Sequence, residues 1–395
     1  MLSGTSALLG AIAAVEREQD QAVLATVVKV EGSAYRRPGA RMLIPLYGGT
    51  VGTISGGCLE SEVAKKAWWL TDSGEPVIRR YSTATQDDDD DQDAALTFGL
   101  GCNGTVHVLL QRHSAEKPLA VLELLRQVRE SGRAGVQATV ISSYRNARVR
   151  VGDHLLLYPD GSERARLLDP ALDAQVRAAM AETLARERST LRSYRDARGD
   201  VEVFCEYLAP QRRLVIFGAG HDAQPLVHMA KLLDWHVTVV DGRAHFARAE
   251  RFPEADAVLQ VDTGSPYALQ ALTDGALVAV MSHSYSQDRH WLGAVLQGTP
   301  VYVGQLGPRE RTERLLGEIR AQGGELTALQ RLHYPIGLDI GGDTPESVAT
   351  AILAEMTAAL NQRDGGMLKH RQAAIHATTP QDCSEIEPAT RLSAS

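Results

Sequence analysis

Cysteine is scarce in this chain: four in 395 residues, widely spaced and without a Cys-x-x-Cys pair. That excludes a disulfide framework and fits a reducing compartment, so the cytoplasm is the expected location. Long apolar runs are missing as well. None approaches the roughly 20 residues that span a bilayer, and no membrane association is expected. Basic residues are not in excess. The 41 Lys and Arg against 49 Asp and Glu leave a formal charge of −8, which argues against non-specific nucleic-acid binding, a process that needs cations to displace phosphate counterions. Residues 1–18 include an apolar stretch but lack the basic start of a signal peptide, and read as an amphipathic first helix. A hydrophobic content of 44% with 23% charged residues is that of a soluble globular protein. At this length two domains are expected rather than one core.

The pattern along the chain divides accordingly. Residues 1–210 read as an α+β domain with a partly antiparallel sheet. Helices are predicted over 6–18, 59–70, 116–131 and 171–188. Strands are predicted over 22–30, 41–45, 50–54, 77–81, 105–111, 137–142, 154–158 and 201–207. From Gln211 strands alternate with helices to residue 360, the signature of a Rossmann-like doubly wound parallel sheet. The fold class is therefore α/β, an α+β domain followed by a Rossmann-like one. Residues 361–395 turn polar and read as a disordered tail. The aspartate run 87–91 reads as a solvated loop, because the Asp-x-Asp-x-Asp-Gly pattern of a calcium loop is absent.

Two glycine–cysteine turns stand out in the first domain. One is Ser55-Gly56-Gly57-Cys58-Leu59-Glu60, preceded by Arg36-Arg37-Pro38-Gly39-Ala40-Arg41; the other is Gly101-Cys102-Asn103-Gly104. Glycine has no Cβ to keep a ligand away from the backbone. Arg36, Arg37 and Arg41 are candidate anion ligands, with a solvated basic turn as the plainer reading. A soft sulfur beside an anion site suggests a metal-carrying, phosphate-bearing cofactor. Cys58 precedes a predicted helix start, where a thiol pKa is ordinarily lowered, so it is favoured over Cys102 as the reactive thiol. The plainer reading of both is a buried cysteine beside a turn. Cys205 falls in a predicted strand and reads as core; Cys383 lies in the tail.

The second domain opens on Leu214-Val215-Ile216-Phe217-Gly218-Ala219-Gly220-His221-Asp222-Ala223, a strand entering a Gly-x-Gly-x-x-Ala turn, with Asp241 at the end of the next strand. Gly218 permits the tight turn, Gly220 the approach of a pyrophosphate, and Asp241 stands where a ribose-binding acid belongs. His221 and His283 sit at the rim where open α/β sheets bind ligands. Asp288 is a candidate partner for His283, and Arg309 and Arg311 are candidate phosphate clamps. Thr344 and Pro345 are placed as N-cap and N1 of a last helix.

Ser33 to Met42, Ser55 to Glu60 and Gly101-Cys102, followed in order by the Gly218–Ala223 turn, His283, the Gly304–Gly307 loop and the Gly337–Pro345 loop, resemble the XdhC/CoxI family over residues 5–360. Two departures are visible: Asn103 where the family often has glycine, and Ser282 where a threonine commonly precedes the histidine. The resemblance implies an accessory chaperone for xanthine dehydrogenase and related molybdenum hydroxylases. Such a protein binds the molybdenum cofactor (molybdopterin), protects it while a cysteine desulfurase installs its sulfido ligand, and delivers it to the apo-enzyme. On this reading Cys58 approaches the metal, with Cys102 second. Arg36, Arg37, Arg41, Gly56, Gly57, Gly218, Gly220, His221, Asp241 and His283 complete the expected binding set, in a homodimer. Two other readings stand beside it. One is an NAD(P)-dependent oxidoreductase using the Rossmann domain, although no Tyr-x-x-x-Lys pair is present. The other is a structural scaffold with no small ligand.

Overall fold

The computed structural model describes residues 4–32, 34–57, 59–82, 104–263 and 269–372. Cys58, Cys102, Cys383, Ser33 and the aspartate run lie outside these. The chain divides into two compact units, residues 1–211 and 212–395.

The first unit contains α1 (Thr5–Arg17), β1 (Gln21–Gly32), β2 (Arg41–Pro45), β3 (Val51–Gly52), α2 (Glu60–Leu70), β4 (Val77–Ser82) and β5 (Gly104–Ser114). It continues with α3 (Ala120–Ser131), β6 (Gly135–Tyr144), β7 (His154–Leu157), β8 (Glu163–Arg164), α4 (Pro170–Ala185), β9 (Thr190–Asp196) and β10 (Gly199–Leu208). Two antiparallel five-stranded sheets result, ordered β3-β2-β1-β5-β4 and β8-β7-β6-β10-β9. Strand β1 is central and buried on both faces. Ala22 and Leu24 join the cluster under α1 and α3, while Val23, Ala25 and Val27 join the one under α2. Two-sided burial is why its sequence hardly alternates. A bulge between Val27 and Lys29 shifts its register with β5. The helix predicted from residue 116 begins instead at Ala120, because Pro118 biases Lys117 away from the helical region. Strand β9 was not predicted; it is an edge strand, paired only with β10, whose half-exposed Leu191-to-Asp196 stretch carries little hydrophobic signal. Cys205 is buried in β10 as expected, and burial pushes its thiol up to about 11.

The second unit contains β11 (Arg213–Phe217), α5 (Ala223–Leu232), β12 (His236–Asp241), β13 (Ala257–Gln260), α6 (Leu269–Thr273) and β14 (Leu277–Val280). It ends with α7 (Tyr285–Val295), β15 (Tyr302–Gln305), α8 (Arg309–Ala321), β16 (Leu332–His333) and α9 (Pro345–Leu360). The six strands are parallel and ordered β13-β12-β11-β14-β15-β16, the Rossmann order. One face is covered by α5 and α9 through Leu226, Ile352 and Met356. The other is covered by α7 and α8 through Trp291, Leu292 and Leu315. Each such fully buried side chain contributes about 1.5–3 kcal/mol relative to exposure. Helix α9 starts at the expected cap: Thr344 accepts from the Ser347 N–H, and Ser347 returns the bond. Among the described residues no helix is long and apolar enough to cross a membrane.

Candidate functional site

In the first unit the turn between β3 and α2 is built around a carboxylate. Glu60 Oε1 accepts from the Thr53 hydroxyl (2.5 Å) and from the N–H groups of Ile54 (3.0 Å), Ser55 (2.9 Å) and Gly56 (3.1 Å). Its Oε2 accepts from the Ser55 hydroxyl (2.5 Å) and from the N–H groups of Gly57 (2.9 Å) and Leu59 (3.1 Å). Burial pushes this carboxyl up, but the hydroxyls of Ser55 and Thr53 and the loop amides overcome that and hold it at about 2. The role of Glu60 was not foreseen from sequence. The signal was present: a Thr-x-Ser run followed closely by Glu at a helix start resembles a capping box, in which hydroxyl and carboxylate satisfy loop amides.

Against this turn lies the loop between β1 and β2. The Tyr35 ring packs on Gly56, where a Cβ would come within 2.7 Å of Cδ1 and the backbone has φ +92°; a glycine is required there on both counts. Tyr35, Arg36, Thr50, Thr53, Gly56, Gly57 and Glu60 line a cavity of about 600 Å³. That is within the range of small-molecule sites. Arg36 is half-buried and has no hydrogen-bond or ion-pair partner among the described residues. It also lines a smaller cavity of about 100 Å³ with Gly4, Thr5, Gly39 and Arg41.

The three arginines of the basic segment thus part company. Arg41 is committed: its Nη1 donates to Glu206 Oε1 (2.7 Å) and the Gly39 carbonyl (3.0 Å), and its Nη2 to Glu206 Oε2 (2.5 Å). The two side chains are only 10% and 7% exposed. Arg37 is exposed, and its carbonyl accepts from the Ala40 N–H to close the turn. Arg36 is the guanidinium that faces a cavity of ligand size.

In the second unit the predicted residues gather at the carboxyl ends of β11, β12 and β14. Gly218 is at φ +122°, and a Cβ there would stand 2.5 Å from the Met281 carbonyl oxygen; tight packing of the turn against the end of β14 demands glycine. Gly220 is less constrained, since a Cβ would meet only the His283 ring at 3.8 Å. Asp241 is completely buried. Its Oδ2 accepts from the Ala219 N–H (2.8 Å) and Arg243 Nη2 (2.8 Å), and its Oδ1 from the Arg243 N–H and Nε (2.9 Å each). Burial pushes its carboxyl up; the Arg243 guanidinium and the amides reverse this and hold it below the usual carboxylate range. The acid expected to meet a ribose is thus engaged inside the protein.

His283 adopts φ +58°, unusual for a residue with a side chain. Its Nε2 lies 2.8 Å from Asp222 Oδ2. The partner expected from sequence, Asp288, is elsewhere. It is buried under the loop, accepting from the Ser282 N–H (3.1 Å) and hydroxyl (2.5 Å), Gln305 Nε2 (3.1 Å) and Arg311 Nη2 (2.8 Å). Arg311 is therefore engaged by Asp288, and the Arg309 guanidinium lies over the Tyr334 ring. His221 is exposed beside the glycine turn. Among the described residues no three His, Cys, Asp or Glu side chains converge to hold a metal ion.

The chain thus carries an antiparallel α+β unit followed by a Rossmann unit whose strand-end acid is internally bound. The comparisons narrow this. The model of the XdhC and CoxI family matches residues 15–82 and 128–195, and the XdhC Rossmann domain matches residues 214–356. The chain is 31% identical over 348 residues to a Bacillus subtilis protein named as a probable xanthine dehydrogenase subunit, covering 87% of this chain and 94% of that relative. It is 24% identical over 348 residues to the molybdenum cofactor insertion chaperone PaoD of Escherichia coli, covering 88% and 86%. A crystal structure of a xanthine dehydrogenase from Bacillus halodurans superposes with a TM-score of 0.70 at 26% identity, covering 92% of this chain and 97% of that one. The chain belongs to the XdhC and CoxI family.

Proposed function

We propose that this protein is a maturation factor for a xanthine dehydrogenase-type molybdenum hydroxylase. It takes up molybdenum cofactor, shields it while a cysteine desulfurase supplies the sulfido ligand, and hands it to the apo-enzyme. The cargo is molybdopterin: a pterin with a terminal phosphate and a dithiolene that carries molybdenum. The observation that carries this reading is the cavity of about 600 Å³ lined by the Tyr35 ring, the Gly56-Gly57 backbone and Arg36, which has no partner among the described residues; Gly57 directly precedes Cys58 in the sequence. Arg36 offers a fork of donors to the phosphate. Tyr35 offers a flat apolar face to the pterin, and Cys58 a soft ligand to molybdenum. Cys102 is the second sulfur candidate. The relative named as a molybdenum cofactor insertion chaperone supports the cargo assignment. The working form is proposed as a cytoplasmic homodimer.

Hydride transfer with NAD(P) is the competing reading. It is weakened by Asp241, whose two oxygens are already bonded to Arg243 and Ala219.

The test is purification from a host that makes molybdenum cofactor, with the bound small molecule identified by mass spectrometry. Pterin and molybdenum in near-equal amounts are expected, with Arg36→Ala lowering loading about tenfold, the loss of one charged hydrogen-bonding contact. A bound nicotinamide without pterin, or loading unchanged in the variant, refutes the assignment.

A further inference from the structure

Arg36 stands between two cavities. With Gly52 it lines both the larger one, of about 600 Å³, and a smaller one of about 100 Å³ whose walls include Gly4, Thr5, Gly39 and Arg41. The smaller space equals about three waters at about 30 Å³ each. That suits a tetrahedral oxyanion and is well below the roughly 300 Å³ at which sites for larger organic ligands begin.

The lining of the smaller cavity favours negative charge. Arg36 has no hydrogen-bond or ion-pair partner among the described residues. The Arg41 side chain is only 10% exposed, and its Nη1 and Nη2 bond to Glu206 and the Gly39 carbonyl. A guanidinium has two forks, the end-on pair of Nη groups and the side-on pair of Nε with Nη2. Glu206 takes the first. In the second, Nε is buried and has no acceptor. A buried donor left without an acceptor is costly, and marks a place where the chain alone does not complete its bonding. The start of α1 adds to this. Its N-cap is Gly4, which supplies no side-chain cap, and no acid stands in the first turn. First-turn amides have no partner within a helix, and the helix dipole favours an anion there. Ser6, in that turn, accepts from the Arg129 guanidinium of α3. The carboxylate in the group, Glu206, is matched by Arg41, which leaves Arg36 as excess positive charge.

We propose that the smaller cavity is a phosphate subsite, in which a tetrahedral oxyanion lies between Arg36, the open fork of Arg41 and the first turn of α1. The same chemistry has two sources: free inorganic phosphate, or the phosphate end of a ligand whose body fills the larger cavity. Arg36 links the two cavities in either case. The subsite stands on its own residues, and only the choice of source rests on the cofactor reading.

The experiment is calorimetric titration of the full-length, cofactor-free protein with inorganic phosphate at pH 7. Ionic strength is held constant with chloride so that screening does not change. Hydrogen exchange on peptides covering residues 4–12 and 34–42 locates the ion. Saturable binding is expected, with slowed exchange in both peptides. Thr5 is exposed and lines the smaller cavity but not the larger. Thr5→Glu places a carboxylate where an acid suits the helix and where it competes with the ion. It is expected to weaken phosphate binding about tenfold, the loss of one charged contact. Thr5→Gln, of similar size without the charge, is expected to bind phosphate as the wild type does. No saturable binding, slowed exchange confined to other peptides, unchanged affinity in Thr5→Glu or an equal loss in Thr5→Gln each overturns the proposal. Loaded protein then assigns the source. If the ligand's own phosphate fills the subsite, loaded protein takes up no inorganic phosphate. If the free ion fills it, loaded protein takes up phosphate and releases pterin faster, because the ion competes for Arg36. Both results uphold the subsite. Phosphate binding is read first without cofactor, so failure there leaves the cofactor assignment standing, and a protein that binds no pterin leaves the phosphate result intact.

Discussion

Glu206→Gln is the sharpest perturbation the first unit offers. In the folded protein Arg41 and Glu206 form a two-point ion pair between side chains 10% and 7% exposed. Arg41 comes from β2 and Glu206 from β10, so the pair ties the two sheets of the unit together across 165 residues of sequence. Removing one partner of a buried pair leaves the other charge uncompensated, at a cost of about 3–5 kcal/mol. The glutamine oxygen still accepts one bond, and the Gly39 carbonyl still accepts from Nη1, so the lower end applies, about 3 kcal/mol. With a urea dependence of about 2–3 kcal/mol per molar for a unit this size, the unfolding midpoint should fall by more than about 1 M. Two tryptophans sit in each unit, at positions 68, 69, 235 and 291, so fluorescence alone does not separate them. Hydrogen exchange read on peptides from β2 and β10 does. Inorganic phosphate should recover part of the loss in the variant, because the guanidinium then needs an anion. A cost below about 1 kcal/mol, in the range of surface pairs, would refute the burial argument and return Arg41 to the list of free anion ligands.

Two further predictions follow from carboxylates in the same way. Asp288→Asn leaves Arg311 without its carboxylate and turns an amide toward Gln305 Nε2; the second unit should lose about 3 kcal/mol, with exchange rising first at residues 281–284, and thermal melts unchanged within error would sink the account. Glu60 has a folded-state pKa of about 2 against an ordinary 4.5: a depressed value adds stability that is fully present above the unfolded value and fades as pH falls from 4.5 through about 2. Acid titration of the wild type should therefore show a component in that window that Glu60→Gln lacks, and superimposable acid profiles would contradict the seven-donor cradle.

Local chemistry was legible in the sequence; pairing at a distance was not. The strand–Gly-x-Gly–helix run of residues 214–223 and the Thr344-Pro345 helix start depend on neighbours within a few residues, and the structure places each as the pattern indicates. Which cation is free depends on where the chain returns. Arg36 and Arg41 look alike in the sequence, yet Glu206 arrives from 165 residues away to neutralise one of them. His283 shows the same limit. Asp288 was near in sequence, but α7 carries it beneath the loop to Ser282, while Asp222, from the far side of the sheet's switch point, reaches the imidazole. The turn at Gly56 was read as a place for a ligand; its amides turn out to be filled by the residue that begins the following helix.

A carboxylate from the chain meets the glycine turn in both units, taking five amides in the first and one in the second. In the first unit the nest before α2 holds Glu60; in the second, Ala219 N–H in the fingerprint turn is held by Asp241, which Arg243 neutralises in turn. An unfilled nest binds adventitious anions and loses its shape when they leave. A carboxylate supplied by the chain keeps the shape at all times, at the cost of the turn's own anion affinity. Gly56 beneath Tyr35 and Gly218 against the end of β14 serve close packing, while a Cβ at Gly57 or Gly220 would meet open space or only the His283 ring at 3.8 Å. On the proposed function, recognition of an anionic ligand in the first unit falls to side chains, since the amides of that turn are bonded to Glu60. In the first unit the described side chain with charge to spare at the cavity is Arg36. A binding site that relies on one flexible guanidinium, and not on a rigid amide cradle, releases its ligand more readily, because side-chain order must be re-established at every binding event. For the proposed task of holding a cofactor and then surrendering it, a weak grip on the phosphate is an advantage, and a first-unit turn whose amides are bonded to Glu60 is consistent with one.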